Sequence, residues 1–274
     1  MRQKTLQCGF TIIELIMVIV IMGAIGGMVS VFMKSPIDAY FASARRAALT
    51  DVADTTVRRM ARDIRKALPN SILNPNNQCL EFIPTKTGGR YRAVVDASGN
   101  GDILDFAATA PADGSFDMLG ANSTLADQAI ARGDLVAVYN LGISDANAYN
   151  ADNTSAVSSV GAGSLPNETK INIAPMKFPL ASGSNRFHVI PKDEKVVAFV
   201  CAGGSLYRTA RAFAGATCPV TGAILARNVD ACNFVYSGSD LQRNALVQLG
   251  ITFKDGTSNE TVSLYHEVHV DNTP

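Results

Sequence analysis

Neither sign of charge dominates this chain: 24 Lys and Arg stand against 24 Asp and Glu, and with Arg2 and Lys4 set apart at the start, 22 basic residues face 24 acidic ones. Bulk electrostatics therefore do not describe a nucleic-acid binder, and no nucleic acid is expected among its partners. Histidine is scarce. Of His188, His266 and His269, the last two are three apart, so in a strand they face opposite sides and do not chelate as a pair. The chain also lacks a Ser/His/Asp or Cys/His arrangement, a phosphate-cradling glycine loop and a paired catalytic carboxylate signature, so no enzymatic activity and no cofactor are expected. Internal repeats are absent.

What the chain does have is one long apolar run, Phe10 to Phe32, FTIIELIMVIVIMGAIGGMVSVF, after the leader MRQKTLQCG. It is long enough to cross a hydrocarbon core of roughly 30 Å as a helix. A secretory signal has a shorter core and no charge in it, although AIGG imitates a cleavage site. Here Glu14 sits in the run, where a carboxylate costs about 2.5–3.5 kcal/mol at a helix centre and less near an end. A plain membrane anchor would leave Glu14 without a partner. Arg2 and Lys4 keep the leader cytoplasmic by the positive-inside rule, so the protein is expected to be a single-pass inner-membrane protein with its C-terminal part exported.

The residues Gly9, Phe10, Thr11 and Glu14 in GFTIIELIMVIVIMGAI resemble the N-terminal signature of type IV prepilins and type II secretion pseudopilins. The resemblance implies that prepilin peptidase cuts between Gly9 and Phe10 and that the new N-terminus of Phe10 is methylated. It implies a filament in which the amine of Phe10 on one subunit neutralises Glu14 of its neighbour. Removing one partner of such a buried pair costs about 3–5 kcal/mol, which makes the pair a register device.

Gly23, Gly26 and Gly27 read as a deformable or close-packing stretch of this helix, and Pro36 as a kink or the start of its second half. From Ile37 the apolar residues Phe41, Ala44, Ala48, Val52, Val57, Met60, Ile64 and Leu68 mostly recur at three and four, predicting one buried stripe up to Leu68. Asp54–Arg58 and Arg59–Asp63 are i,i+4 pairs. The cluster Arg58, Arg59, Arg62, Arg65 and Lys66 invites a DNA-binding reading, but two aspartates dilute it; a solvated helix face is the reading kept, with subunit contacts as the first alternative.

Beyond the helix the pattern turns strand-like. Strands are predicted at Cys79–Ile83, Arg90–Val95, Ile103–Ala107, Leu135–Tyr139, Arg186–Ile190, Lys195–Cys201, Ser205–Ala210, Cys232–Tyr236, Leu246–Lys254 and Thr261–Val270. Asn140 to Asn185, rich in Ser, Asn, Ala and Gly, reads as a long loop or insertion with room for one short strand. The expected fold is α+β and type IV pilin-like: leader 1–9, membrane and filament-core helix 10–33, amphipathic helix 34–68, and a periplasmic head 69–274 with an antiparallel β-sheet and a long loop insertion.

Two sites remain. Asp96, Ser98, Asn100 and Asp102 alternate around Gly101 as in the first half of a calcium loop; the twelfth position is Ala107, with Asp105 the one substitute, and a tight turn explains the same residues. The four exported cysteines suit an oxidising compartment and allow three pairings. A hairpin between Cys201 and Cys218 predicts that pair, leaving Cys79 with Cys232. Cys8 departs with the leader. Of the four N-x-S/T sequons, at Asn122, Asn153, Asn167 and Asn259, none carries weight.

The stretches VRRMARDIRKALPNSI, GSLYRTA, CPVTGAILARNVDACNFVYS and VSLYHEVHV are similar to the larger minor pilins, those of the mannose-sensitive haemagglutinin (MSHA) pilus above all, and to J-type pseudopilins. That resemblance implies a low-abundance subunit that primes pilus assembly with other minor pilins and the major pilin, and that reaches the cell surface once assembled. The alternatives are a type II secretion J-type pseudopilin and a tip-displayed adhesin whose contact surface is the Asn140–Asn185 loop.

Overall fold

The computed structural model describes residues 9–238, 244–256, 258 and 260–274. The chain divides into two compact units, Met1–Leu49 and Thr50–Pro274.

In the first unit the described residues belong mainly to helix α1, Ile12–Ile64, which continues into the second. The β-branched series Val18–Ile19–Val20–Ile21 is a weak helix former in water. In a bilayer a helix satisfies every backbone group within the segment, and that requirement overrides propensity. α1 is long and apolar enough to span a membrane. Its side chains from Phe10 to Phe32 are all exposed in the single chain. Pro36 neither ends nor restarts the helix but lies inside it, where its missing N–H leaves the Phe32 carbonyl without the usual donor.

In the second unit α1 buries Ala53, Thr56, Val57, Met60, Ala61 and Ile64. This is the three-and-four spacing of a core-facing stripe. The predicted stripe holds from Val57 onward but slips before it, because Val52 is exposed while Ala53 is buried. Ile37 and Phe41 are exposed as well. The helix stops at Ile64 rather than Leu68. Lys66 and Ala67 donate to Asp63 and Ile64 in a tightened last turn, and the Leu68 N–H leaves the helix to bond the Ile83 carbonyl at 2.7 Å.

Fourteen strands are described: β1 Leu73–Asn76, β2 Cys79–Phe82, β3 Thr87–Arg90, β4 Asp113–Met118, β5 Leu135–Ala137, β6 Thr154–Ala162, β7 Thr169–Met176, β8 Arg186–Ile190, β9 Val196–Ala202, β10 Ser205–Arg211, β11 Ala223–Arg227, β12 Val229–Ser237, β13 Asn244–Lys254 and β14 Thr261–Asp271. They form three sheets, in the orders β1-β2-β9-β10-β11, β12-β13-β14 and β3-β8-β5-β6-β7-β4. Every pairing is antiparallel. The α+β class with a long N-terminal helix and antiparallel sheets is therefore as expected, with three sheets in place of one.

The long loop is a correction. Most of Asn140–Asn185 is the β6–β7 hairpin, which joins β5 to β4 in the middle of the six-stranded sheet. Ile171 and Ile173 are buried in alternation along β7, and Val157 is buried on β6. The Ser content misled because hydroxyl side chains fit a pleated surface once the sheet supplies partners: Ser155 Oγ donates to the Ala174 carbonyl at 2.6 Å. Two predicted strands also move or vanish. Arg90–Val95 becomes β3, ending at Arg90, and Ile103–Ala107 is not a strand.

The six-stranded sheet covers a core of Tyr91, Phe116, Val136, Ile171, Phe187 and Val189. A second cluster, with Leu68, Ile83, Leu135, Ile190 and Val196, connects the segments after α1 and β2 to β5, β8 and β9. Buried amides fix the joint between these parts. Asn140 donates to the Pro69 carbonyl at 2.7 Å and accepts from the Ala148 N–H at 2.8 Å, and Asn70 donates to the Asn140 carbonyl at 2.9 Å.

Candidate functional site

Gly9 and Phe10 precede the helix and are exposed, with Phe10 at 85% of its full accessibility. A Cβ on Gly9 would meet nothing within 4 Å, so the chain's own packing does not require glycine there. Residues 1–8, Cys8 among them, lie outside the described residues.

Thr11 and Glu14 start the helix together. The Glu14 carboxylate accepts from the Thr11 N–H at 3.0 Å and from its hydroxyl at 2.9 Å, while Thr11 Oγ1 accepts from the Glu14 N–H at 3.4 Å. This is a capping box, which satisfies otherwise orphaned helix N–H groups reciprocally. Sequence reasoning left Glu14 without a partner in a plain anchor; the T-x-x-E spacing was the signal that would have found one.

The disulfides are a correction. Cys79 pairs with Cys218 and Cys201 with Cys232, with Cα separations of 6.1 and 6.3 Å, in place of Cys201–Cys218 and Cys79–Cys232. Strand alternation explains the exchange. Cys79 lies opposite Val200 in the β2–β9 register, and it clusters with Ala198, Val200 and Cys218. Cys201, the next residue along β9, points to the other face, where β12 presents Cys232. A hairpin between Cys201 and Cys218 therefore brings them to opposite sides of one sheet.

Beside the first disulfide lies a buried ion pair that the sequence reading missed. Glu81 is 0% exposed. It accepts from Arg211 through Nε at 3.1 Å and Nη2 at 2.8 Å, and from the Cys218 N–H at 2.7 Å. Its hydrogen bonds to Arg211 hold the guanidinium above its ordinary pKa against the opposing effect of burial. The Arg211 guanidinium lies 5.9 Å from the centre of the Tyr149 ring, whose hydroxyl donates to the Ser71 carbonyl at 2.8 Å. Cys79, Glu81 and Cys218 place potential metal-ligand atoms within 4.8 Å of one another, but the disulfide removes both thiolates.

Of the calcium candidates only the Asp96 and Asn100 side chains touch, Asn100 Nδ2 donating to Asp96 Oδ2 at 3.4 Å. One Asp96 oxygen accepts from the N–H groups of Ser98 and Asn100 at 2.8 and 2.7 Å, which holds its carboxyl below the usual range, the Asn100 bond contributing most. Asp102 turns to Ser115 at 2.6 Å and Lys170 at 3.0 Å, and Asp105 accepts from the Ala107 N–H. Gly101 has φ +112°, and a Cβ there would lie 2.4 Å from Cδ of Arg92. The stretch is a tight turn.

His266 and His269 fall on opposite faces of β14, half-buried and exposed. His188 on β8 is pushed down to about 4 by burial and then by Arg186, and its Nε2 has no hydrogen-bond partner among the described residues. The sequon at Asn153 is fully buried, and Asn259 lies outside the described residues. On α1 the Asp54–Arg58 pair forms at 2.7 Å. The Arg59–Asp63 pair does not: Asp63 accepts from Arg208 on β10 at 2.9 Å, which also binds Glu194 at 2.6 Å.

No protein-family model, curated protein or solved structure matches the chain.

Proposed function

We propose that the chain is a minor pilin, a non-enzymatic structural subunit that helps prime assembly of a type IV pilus of the MSHA kind, similar to the minor pilin MshO. Prepilin peptidase removes residues 1–9 and Phe10 becomes the methylated N-terminus. The subunit waits in the inner membrane with its head in the periplasm, and then enters the filament beside other minor pilins and the major pilin. The observation that carries this reading is the string Gly9-Phe10-Thr11 with Glu14 at the head of an apolar helix. Two features support it. The bond to be cut lies in exposed, non-helical chain, and both members of the capping box follow it, so the helix start survives processing.

Mass spectrometry of the mature protein is expected to find N-methyl-Phe10 at the N-terminus; an N-terminus at Met1, or a cut after Gly27, would reject the reading. Glu14→Gln keeps a capping residue that serves as well as glutamate but removes the charge. It is expected to leave processing intact and to deplete surface pili, and a wild-type pilus count in that variant rejects the assembly role of Glu14.

A further inference from the structure

Arg58 and Arg62 lie four apart on one face of α1, and Arg65, one residue past its end, stays in line with them because its N–H still bonds the Ala61 carbonyl at 3.1 Å. With Thr55, Ala61 and His266 of β14 they line a groove of about 460 Å³ in the second unit. Arg58 is bonded to Asp54, whereas Arg62 and Arg65 have no carboxylate partner among the described residues. Asp63, next to Arg62 in sequence, is drawn away by Arg208. On β14 the residues that share a face with His266 are Val262, Leu264, Val268 and Val270, while Glu267 lies on the other face and accepts from the Tyr265 hydroxyl at 2.6 Å. The lining is thus cationic, and no acidic residue belongs to it.

The strand beside this groove is the outer strand of its sheet. β14 pairs with β13 without a register break from Thr261 to Asp271, and its other edge has no backbone partner among the described residues. The opposite outer strand is covered: Phe234 on β12 donates its N–H to the Asn77 carbonyl at 2.8 Å, and Tyr236 donates to Asn74 Oδ1 at 3.3 Å. β14 has no proline, lysine or bulge to protect its open edge, and its only carboxylates are Glu267 and Asp271, on the face opposite His266.

We propose that the groove is a docking site for an acidic, extended polypeptide segment of a partner protein, which adds its backbone to the β14 edge and sets its carboxylates against Arg58, Arg62 and Arg65. Charge complementarity specifies the sign of the occupant, and the open edge specifies its backbone. Side chains on one face of an extended peptide recur about every 6.8 Å, close to the rise of about 6 Å between Arg58 and Arg62. A nucleic acid would answer the arginines equally well. The groove, however, has no Phe, Tyr or Trp on which bases would stack, its one ring being the His266 imidazole, and a sugar-phosphate chain does not complement the donors and acceptors of a strand edge. The proposal does not rest on the pilin reading and stands or falls separately.

The test titrates the full-length protein in detergent micelles with a fluorescent peptide of alternating Glu and Val, read by anisotropy. Binding is expected to weaken with salt and to fall at least about tenfold in the double variant Arg62→Glu/Arg65→Glu, whose exposed positions leave the circular dichroism spectrum unchanged. The same peptide N-methylated on alternate residues is expected to lose binding to a similar degree. Absence of peptide binding, or binding that ignores the charge reversal, overturns the site. Undiminished binding of the N-methylated peptide overturns strand addition, and tighter binding of oligo-dT of equal charge reassigns the groove to nucleic acid.

Discussion

Single side chains in this protein do work that their residue types conceal. Glu81 sits in the apolar string CLEF and is fully buried, tolerable only because Arg211 and the Cys218 N–H answer it. Arg211→Ala leaves that carboxylate buried with no counter-charge. The expected loss is about 3–5 kcal/mol of head stability, measured as the shift of a urea unfolding curve. His188 acts in the opposite direction. Its folded pKa of about 4 lies below its ordinary value of 6.5, so the unfolded chain binds the extra proton first as pH falls. Stability from this residue is intact above pH 6.5 and is lost progressively between there and pH 4, by about 3 kcal/mol in all. The difference in unfolding free energy between the wild type and His188→Gln, followed from pH 7 to pH 4, should therefore shrink or reverse in favour of the variant; a difference constant with pH would contradict the assignment.

At the scale of elements, the β6–β7 hairpin separates what patterning reveals from what it hides. The β9–β10 and β13–β14 hairpins announce themselves through alternating apolar residues around AGG and KDGTSNE. β6 reads TSAVSSVGA, with one residue after another that also favours turns, and only its position between β5 and β7 makes it a strand. Deleting residues 154–176 would trim a surface loop if the stretch were one. In this fold it removes two strands from the middle of a six-stranded sheet and uncovers the Phe116 and Phe187 core. The expected result is an aggregated or unfolded head with lost near-ultraviolet circular dichroism, and a cooperative unfolding transition in the deleted protein would show the strands to be dispensable.

Across the whole molecule the covalent connections follow sheet geometry. Cys79–Cys218 closes a separation of 139 residues and ties the segment between β10 and β11 to β2, while Cys201–Cys232 joins β9 to β12 and thus two different sheets. A peptide map without reductant is expected to recover these two links and not the Cys201–Cys218 pair. Reduction is expected to cost about 2–5 kcal/mol for each bond, read from unfolding with and without reductant.

The apolar run to Phe32, its single carboxylate, most strands after Leu135 and the α+β class were legible from residue order, because length, periodicity and turn chemistry are local properties. Local patterning could not say which face of β9 each cysteine would occupy, that Asp63 would leave Arg59 for Arg208, or that a Ser-rich stretch would be held in a sheet. Those outcomes depend on which distant segment arrives alongside, and a one-residue change of register reverses every side chain on a strand. Tertiary structure alone therefore decided the disulfides, the buried ion pairs and the cationic groove.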